Sequence, residues 1–96
     1  GGVGSTYNFA APVYNRIIAA FKAGDMETAR AEQQLAVRFI AVLVRYGGIP
    51  AIKAAMGLAG VDCGPVRLPL KRLSKPDLVR MEADLRKIGF FEKCLV

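Results

Sequence analysis

Four stretches of the chain repeat apolar residues at the spacing of an amphipathic helix. In the first, residues 12–23, apolar side chains at Val13, Ile17 and Phe21 recur at every fourth position. Because an α-helix turns once in about 3.6 residues, these side chains share one face. Proline is tolerated in the first turn of a helix, and a glycine follows this stretch directly. We therefore expect a helix that begins near Pro12 and ends before that glycine.

The next two stretches predict a long helix and a short one. Asp25 is placed to cap a helix over residues 26–45, which a pair of glycines ends. The main apolar stripe of this helix consists of Leu35, Phe39, Val42 and Tyr46. A third helix is expected to begin at Pro50 and to end near Gly60, and its small side chains favour close packing.

Two prolines and a serine determine the pattern of the last third of the chain. Pro65 and Pro69 interrupt residues 61–73, which carry no helical stripe, so we predict an extended segment that lies over the helices. Ser74, with Asp77 three residues later, is a variant of the capping box and predicts a last helix, which a glycine ends. The buried stripe of that helix consists of Leu78, Met81, Leu85 and Ile88.

The beginning of the chain has a different pattern. Residues 1–6 read Gly-Gly-Val-Gly-Ser-Thr, which is too rich in glycine for a helix and fits the end of a strand that runs into a loop. The pattern alone therefore predicts a mostly helical chain, with one short strand followed by four helices. No internal repeat and no low-complexity linker interrupts it.

The composition indicates a packed chain of limited size. Hydrophobic residues make up 53% of the chain and charged residues 23%, which excludes a disordered or low-complexity protein. A chain of 96 residues buries a smaller share of its surface than a larger domain does. We therefore expect part of the apolar surface to face something outside these residues.

Positive charge is spread along the whole chain. Lysine and arginine number 14, against 8 aspartate and glutamate residues, which gives a net charge of +6. Such a balance can favour an acidic partner or a polyanion. The cations form no dense run, however, and they are not interleaved with aromatic residues as in proteins that bind single-stranded nucleic acid. A solvated surface is the favoured interpretation, and we expect no nucleic-acid partner.

Neither cysteine chemistry nor a membrane is indicated. Cys63 and Cys94 lie far apart and the chain has no histidine, so we expect no zinc site, and no motif calls for a cofactor. Reduced, buried thiols in a cytosolic protein are the simpler interpretation, which predicts a cytoplasmic location. No apolar run approaches the roughly 20 residues of a membrane helix, and no signal peptide is recognisable. The absence of an initial Met fits a start inside a longer protein or a processed chain.

Four segments resemble one enzyme family in their order and approximate spacing. Residues 4–8 (GSTYN), preceded by Gly2 and Val3, resemble the strand-end motif near the C-terminus of the N-acetylneuraminate lyases, within the dihydrodipicolinate synthase superfamily. The other three segments are residues 20–25 (AFKAGD), 49–54 (IPAIKA) and 64–70 (GPVRLPL). Together they extend over nearly the whole chain, which makes coincidence improbable.

The resemblance implies that the parent protein is a (β/α)8 barrel, a fold of about 250 residues. Residues 1–24 would then be the last strand and helix of the barrel, and residues 25–96 a C-terminal helical extension beside it. Family members act through a lysine that forms a Schiff base with a 2-keto acid, assisted by a tyrosine. Both residues would lie upstream of Gly1, so we expect no catalytic residue in this chain and no activity from the chain alone.

The resemblance also implies a sugar acid as the small-molecule substrate, a homotetramer as the assembly, and Ser5 as a substrate contact. Substrate-binding side chains lie at the C-terminal ends of barrel strands, and a small hydroxyl can hydrogen-bond a sugar hydroxyl. Thr6 would line the same site more weakly, whereas Tyr7 and Asn8 would fix the loop. A serine that only caps a turn is the alternative role for Ser5.

Two other functions stay open at this point. One is another reaction of the superfamily, such as dihydrodipicolinate synthesis or the cleavage of keto-deoxy sugar acids. The other is a stand-alone basic helical module that binds a protein or nucleic acid, with affinity that depends strongly on salt. Lys53 lies among apolar residues of the third predicted helix. A surface lysine whose stem packs on apolar neighbours is favoured there over a nucleophile.

Overall fold

Helices form all of the regular secondary structure. The structure, a computed structural model, describes residues Gly1–Val96. The five helices are α1 (Tyr7–Lys22), α2 (Met26–Arg45), α3 (Ile49–Leu58), α4 (Lys75–Lys87) and the short α5 (Phe90–Lys93). The first four correspond to the predicted helices, and residues 61–73 form no helix, as their prolines indicated. The sequence did not predict α5, because its 4 residues are too few to show a hydrophobic period.

The strand predicted within residues 1–6 is not formed. Residues 1–4 have no regular structure, and residues 5–6 form a turn that leads into α1. A strand satisfies its backbone N–H and C=O groups by pairing with a neighbouring strand, and this chain contains no other strand. The local sequence indicated a strand end, but the partner that such a strand needs is not among these residues.

The helix α1 begins at Tyr7, earlier than the predicted start near Pro12, and bends on the way. At Ala10 the backbone leaves helical geometry, with φ −113° and ψ 22°. The cause is the proline that follows, because it has no N–H to donate and its ring crowds the preceding turn. At this bend the carbonyl of Phe9 accepts a hydrogen bond of 3.1 Å from the N–H of Val96. The end of the chain is thereby attached to α1.

Side-chain caps fix the starts of α2 and α4. Asp25 Oδ1 accepts a hydrogen bond from the N–H of Thr28 at 3.1 Å, and Ser74 Oγ accepts one from the N–H of Asp77 at 3.3 Å. Hydrogen bonding with Thr28 lowers the pKa of the Asp25 carboxyl, because it favours the charged form. The observed α2 has the same bounds as its prediction, since both of its ends are determined by local chemistry.

The core lies where the helices meet, around three phenylalanines. Phe9, Phe39 and Phe90 are no more than 2% exposed. The ring of Phe90 lies 5.8 Å from that of Phe9 and 5.6 Å from that of Phe39, edge to face in both contacts. The other large side chains that are fully buried are Leu43, Met81, Leu85, Val13 and Cys94. Because burying one such side chain contributes roughly 1.5–3 kcal/mol, this cluster holds the helices together.

The two cysteines lie in different surroundings, so the prediction of two buried thiols was wrong for one of them. Cys63 is exposed, because it lies in a part of the extended segment that does not pack against the core. Cys94 is buried, and burial raises the pKa of its thiol to about 11.

Arg16 connects three helices. Its Nη2 donates to the carbonyl of Lys93 at 2.6 Å, and its Nε lies 3.0 Å from Glu32 Oε2.

Apolar side chains remain exposed on α1 and α2. Of the predicted stripe on α1, Val13 is fully buried, whereas Phe21 is 64% exposed. On α2, an exposed apolar row is formed by Val37, Ile40 and Val44. A chain that packs against something outside these residues is expected to show such surfaces. No single helix is long and apolar enough to cross a membrane; α2 and α3 meet that test only as a pair, which is bent by 113°.

Candidate functional site

Ser5 lies in the turn before α1, on a backbone that a neighbour holds in place. Its carbonyl oxygen accepts hydrogen bonds from Asn8 N at 3.4 Å and from Asn8 Nδ2 at 2.9 Å. Asn8 therefore fixes the loop, as predicted. The Ser5 side chain is exposed, and its hydroxyl neither caps α1 nor forms a hydrogen bond within the chain. A free hydroxyl on a fixed backbone can donate to and accept from a sugar hydroxyl.

Thr6 lies in the same turn, but its side chain is only 9% exposed. Its Oγ1 lies 2.7 Å from the phenolic oxygen of Tyr14, so the two hydroxyls share a hydrogen bond. Its carbonyl accepts the N–H of Ala10 at 2.9 Å and so begins α1. In this structure Thr6 fastens the turn to the helix. A direct contact between Thr6 and a substrate stays a prediction.

The ring of Tyr7 covers the glycine-rich backbone that precedes the turn. It meets the ring of Tyr14 edge to face, with centroids 4.6 Å apart. A Cβ atom at Gly4 would lie only 2.9 Å from Tyr7 Cζ, closer than such atoms approach in proteins. A side chain at position 4 would therefore force the Tyr7 ring to shift, and Tyr7 packs on the loop as the sequence predicted.

Tyr14 is the residue of this site for which the sequence predicted no role. Its hydroxyl binds Thr6, and its ring lies 6.4 Å from the ring of the buried Phe39, so it links the turn to the core. Tyr7 and Tyr14 are two helical turns apart, a spacing that places them on one face of a helix. That signal was hidden because the predicted helix began after Tyr7.

The groups around Ser5 are suited to binding a polar ligand. They are hydroxyls, an amide and aromatic rings, and the hydroxyls and the amide can donate and accept hydrogen bonds. No group of three or more His, Cys, Asp or Glu residues is placed to hold a metal ion. Lys53 lies on α3 and is half-buried, and its Nζ donates to the carbonyl of Pro65 at 3.1 Å, which is a structural contact. The arrangement can hold a polar ligand through hydrogen bonds.

Comparison with known proteins shows which family this chain resembles. The model of the dihydrodipicolinate synthetase family matches residues 1–88. The N-acetylneuraminate lyase of Rhizobium meliloti is 36% identical over 81 residues, which cover 84% of this chain and 27% of that protein. The N-acetylneuraminate lyase of Homo sapiens is 38% identical over 92 residues, which cover 94% of this chain and 29% of that protein.

Solved structures have the same arrangement of helices. The N-acetylneuraminate lyase of Proteus mirabilis superposes with a TM-score of 0.86 at 39% identity, over 93% of this chain and 30% of that chain. The N-acetylneuraminate lyase of Aliivibrio salmonicida superposes with a TM-score of 0.86 at 39% identity, over 97% of this chain and 31% of that chain.

The matches cover most of this chain but only part of each relative. This chain spans less than a third of the length of the curated relatives it matches. Those relatives are (β/α)8-barrel lyases, and the chain corresponds to their C-terminal part. The family resemblance seen in the sequence is thereby confirmed, including the barrel as the parent fold. The chain belongs to the dihydrodipicolinate synthetase family.

Proposed function

We propose that this chain is the C-terminal part of a class I aldolase that cleaves N-acetylneuraminate into N-acetylmannosamine and pyruvate. The observation that carries this proposal is the likeness to N-acetylneuraminate lyases, which extends over 93% of the chain with a TM-score of 0.86. The position of Ser5 supports the sugar-binding part of it, because its exposed hydroxyl is free and its backbone is fixed by Asn8.

In this proposal the chemistry is divided between the chain and residues upstream of it. An upstream lysine attacks the ketone carbon of the sugar acid, water leaves, and a protonated imine forms. The upstream tyrosine takes the proton of the sugar hydroxyl next to the bond that breaks, and the electron pair of that bond passes to the imine. Protonation and hydrolysis of the resulting enamine then release pyruvate and restore the lysine. Such a lysine must be kept neutral by desolvation or by nearby cations. The part of this chain is to orient the open-chain sugar through Ser5 Oγ, so that the bond to be broken is aligned with the imine.

The family resemblance supports the proposed organisation of the enzyme, and the two free cysteines support its proposed location. Residues 1–24 supply the last strand and helix of the barrel, and residues 25–96 pack beside it. The assembly is a homotetramer in the cytoplasm. Size-exclusion chromatography with light scattering on the complete protein measures the assembly directly, and a monomer would contradict it.

Pyruvate release and imine trapping test the reaction. The complete protein is incubated with N-acetylneuraminate and the pyruvate formed is measured, and a parallel sample is treated with pyruvate and borohydride. We expect release of pyruvate and a stable adduct on a lysine upstream of Gly1. The 96-residue chain alone is the control, and it should form no adduct. An adduct on Lys53 or another lysine of this chain would overturn the division of roles.

A second reaction of the same superfamily is the other candidate. It is favoured by the similarity to a DapA-like lyase of Halobacterium salinarum, which is 38% identical over 89 residues. The complete protein is therefore also offered pyruvate with aspartate semialdehyde and, separately, keto-deoxy sugar acids. A higher kcat/KM with either of these than with N-acetylneuraminate would replace the first substrate assignment and leave the lysine chemistry in place.

A further inference from the structure

A second cleft, which shares no residue with the turn around Ser5, is lined by three cations. It lies between α3, the extended segment 61–73 and the first turn of α4, and its volume is about 470 Å³. The basic residues on its walls are Lys53, Arg72 and Lys75, and the single acidic one is Asp62. Volumes of this size are typical of sites for small molecules.

None of the three cations has an anionic partner within the chain. All four ion pairs of the chain involve other cations, namely Arg16, Arg45, Arg80 and Arg86. Lys53 Nζ donates one hydrogen to the Pro65 carbonyl at 3.1 Å, which leaves two hydrogens free. Asp62 Oδ1 instead accepts the N–H of Gly64 at 2.8 Å. The cleft therefore carries an excess of positive charge.

The remaining walls of the cleft are largely apolar. The apolar residues that line it are Ala54, Leu58, Val66, Leu73 and Leu78, together with the rings of Pro50 and Pro65. Arg72 and Lys75 are exposed and Lys53 is half-buried, so their attraction for an anion is screened by water and weakens as the salt concentration rises. A matching ligand carries one anionic group and a short apolar body that covers these side chains.

We propose that this cleft binds a small organic carboxylate with a short aliphatic body. The carboxylate is held by the ammonium and guanidinium groups, and the aliphatic part packs on the leucine and proline side chains. The proposal depends on the residues of the cleft and is independent of the lyase reaction. It adds a second ligand site to a protein whose substrate site is proposed at Ser5.

Gly57 allows the cleft to be filled without damage to the fold. It lines the cleft, and a Cβ atom at this position meets no atom within 4 Å. It lies inside α3 and its φ is not positive, so a leucine there occupies open space and favours the helix. Ala59 is exposed, lies next to the end of α3 and does not line the cleft, which makes Ala59→Leu the matched control.

Calorimetric titration of the complete protein with butyrate at low ionic strength tests the proposal. We expect saturable binding to the wild-type protein and binding that is at least about tenfold weaker in both variants of the cleft. Gly57→Leu fills the space that the ligand occupies, and Arg72→Met removes one charge-assisted contact. Ala59→Leu and Lys87→Met, which lie outside the cleft, should change the affinity less than about twofold. Far-ultraviolet circular dichroism verifies that each variant is folded.

Three outcomes would overturn the proposal. The first is the absence of saturable butyrate binding to the folded wild-type protein. The second is unchanged affinity in Gly57→Leu and Arg72→Met, which would place butyrate elsewhere. The third is acetate binding as tightly as butyrate, which would show that the apolar walls contribute nothing, because the two anions differ only in the length of the apolar body. No turnover is needed for the measurement, so a protein without lyase activity can still satisfy it.

Discussion

The turn at residues 4–8 is fastened to the core by a pair of hydroxyls, whereas the extended segment 61–73 packs against the core through Leu73 and leaves much of its length exposed. In the turn, the Thr6 hydroxyl binds Tyr14, whose ring lies near the buried Phe39. In the segment, the Pro65 carbonyl accepts from a lysine, and Leu68 is 90% exposed. The two loops therefore have different roles. The turn presents the Ser5 hydroxyl on a fixed backbone, and the segment forms one wall of an open cleft.

The largest expected effect compares the free energy of unfolding lost at Phe9, the core residue that follows the turn, with that lost at an exposed residue of the segment. Phe9, directly after the turn, is 2% exposed, so Phe9→Ala should lower the free energy of unfolding by about 3–5 kcal/mol. Leu68→Ala removes a side chain of the segment that is 90% exposed, and it should change that energy by less than about 0.5 kcal/mol. Urea denaturation of the complete protein measures both. Equal losses would mean that the segment is packed as tightly as the turn.

A smaller effect tests how the turn is fastened. Tyr14→Phe leaves the largely buried hydroxyl of Thr6 without its partner, and it should cost about 1–3 kcal/mol of unfolding free energy. The double variant Thr6→Val with Tyr14→Phe replaces both polar groups, so it should recover part of the loss. If the double variant were less stable than the single one, the hydroxyl pair would not be the fastening contact.

Local chemistry made some of these elements predictable and hid others. The bounds of α2 follow from Asp25 at one end and two glycines at the other, so the sequence was sufficient there. The early start of α1 was missed because Pro12 was placed in the first turn of the helix, whereas the helix bends at Ala10 and extends back to Tyr7. The predicted strand failed for a different reason, since its hydrogen bonds need another strand.

Within the candidate site, the sequence predicted which residues lie together but not what each contacts. Ser5 and Thr6 are neighbours in the chain, yet one hydroxyl is exposed and the other is bound to Tyr14. The direction of a side chain in a turn depends on the helix that follows, and that helix was placed too late. The cleft behind Lys53 was equally hidden, because its walls come from three parts of the chain.

The third prediction concerns the exposed hydroxyl of Ser5 and its proposed contact with the sugar. In the complete enzyme, Ser5→Ala should lower kcat/KM for sugar-acid cleavage several-fold, the loss of about 1 kcal/mol expected for one hydrogen bond. Schiff-base formation with pyruvate, measured by borohydride trapping, should be nearly unchanged, because the serine is proposed to contact the sugar. Equal damage to both steps would indicate that Ser5 maintains the loop and does not bind substrate.

The last prediction uses the two cysteines to compare the buried core with the exposed segment. The pKa of Cys94 is raised from 9.0 to about 11, so the unfolded state releases its proton first as the pH rises. The free energy of unfolding should therefore fall between pH 9.0 and about 11, and below that window the contribution is fully present. Cys94→Ala should make this decline shallower, whereas Cys63→Ser in the exposed segment should leave it unchanged. Urea denaturation between pH 8 and about pH 11 compares the slopes, and identical slopes in all three proteins would contradict the assignment.

The contact between Gly4 and Tyr7 means that the residue at position 7 limits which residues fit at position 4. The aromatic ring occupies the space that a side chain at position 4 would need, since a Cβ there would lie 2.9 Å from Tyr7 Cζ. A larger residue at position 4 therefore requires that the Tyr7 ring, which is 43% exposed, rotate away or be replaced by a smaller side chain. A library that randomises position 4 alone should favour glycine, whereas position 7 opposite Gly4 should also accept smaller residues.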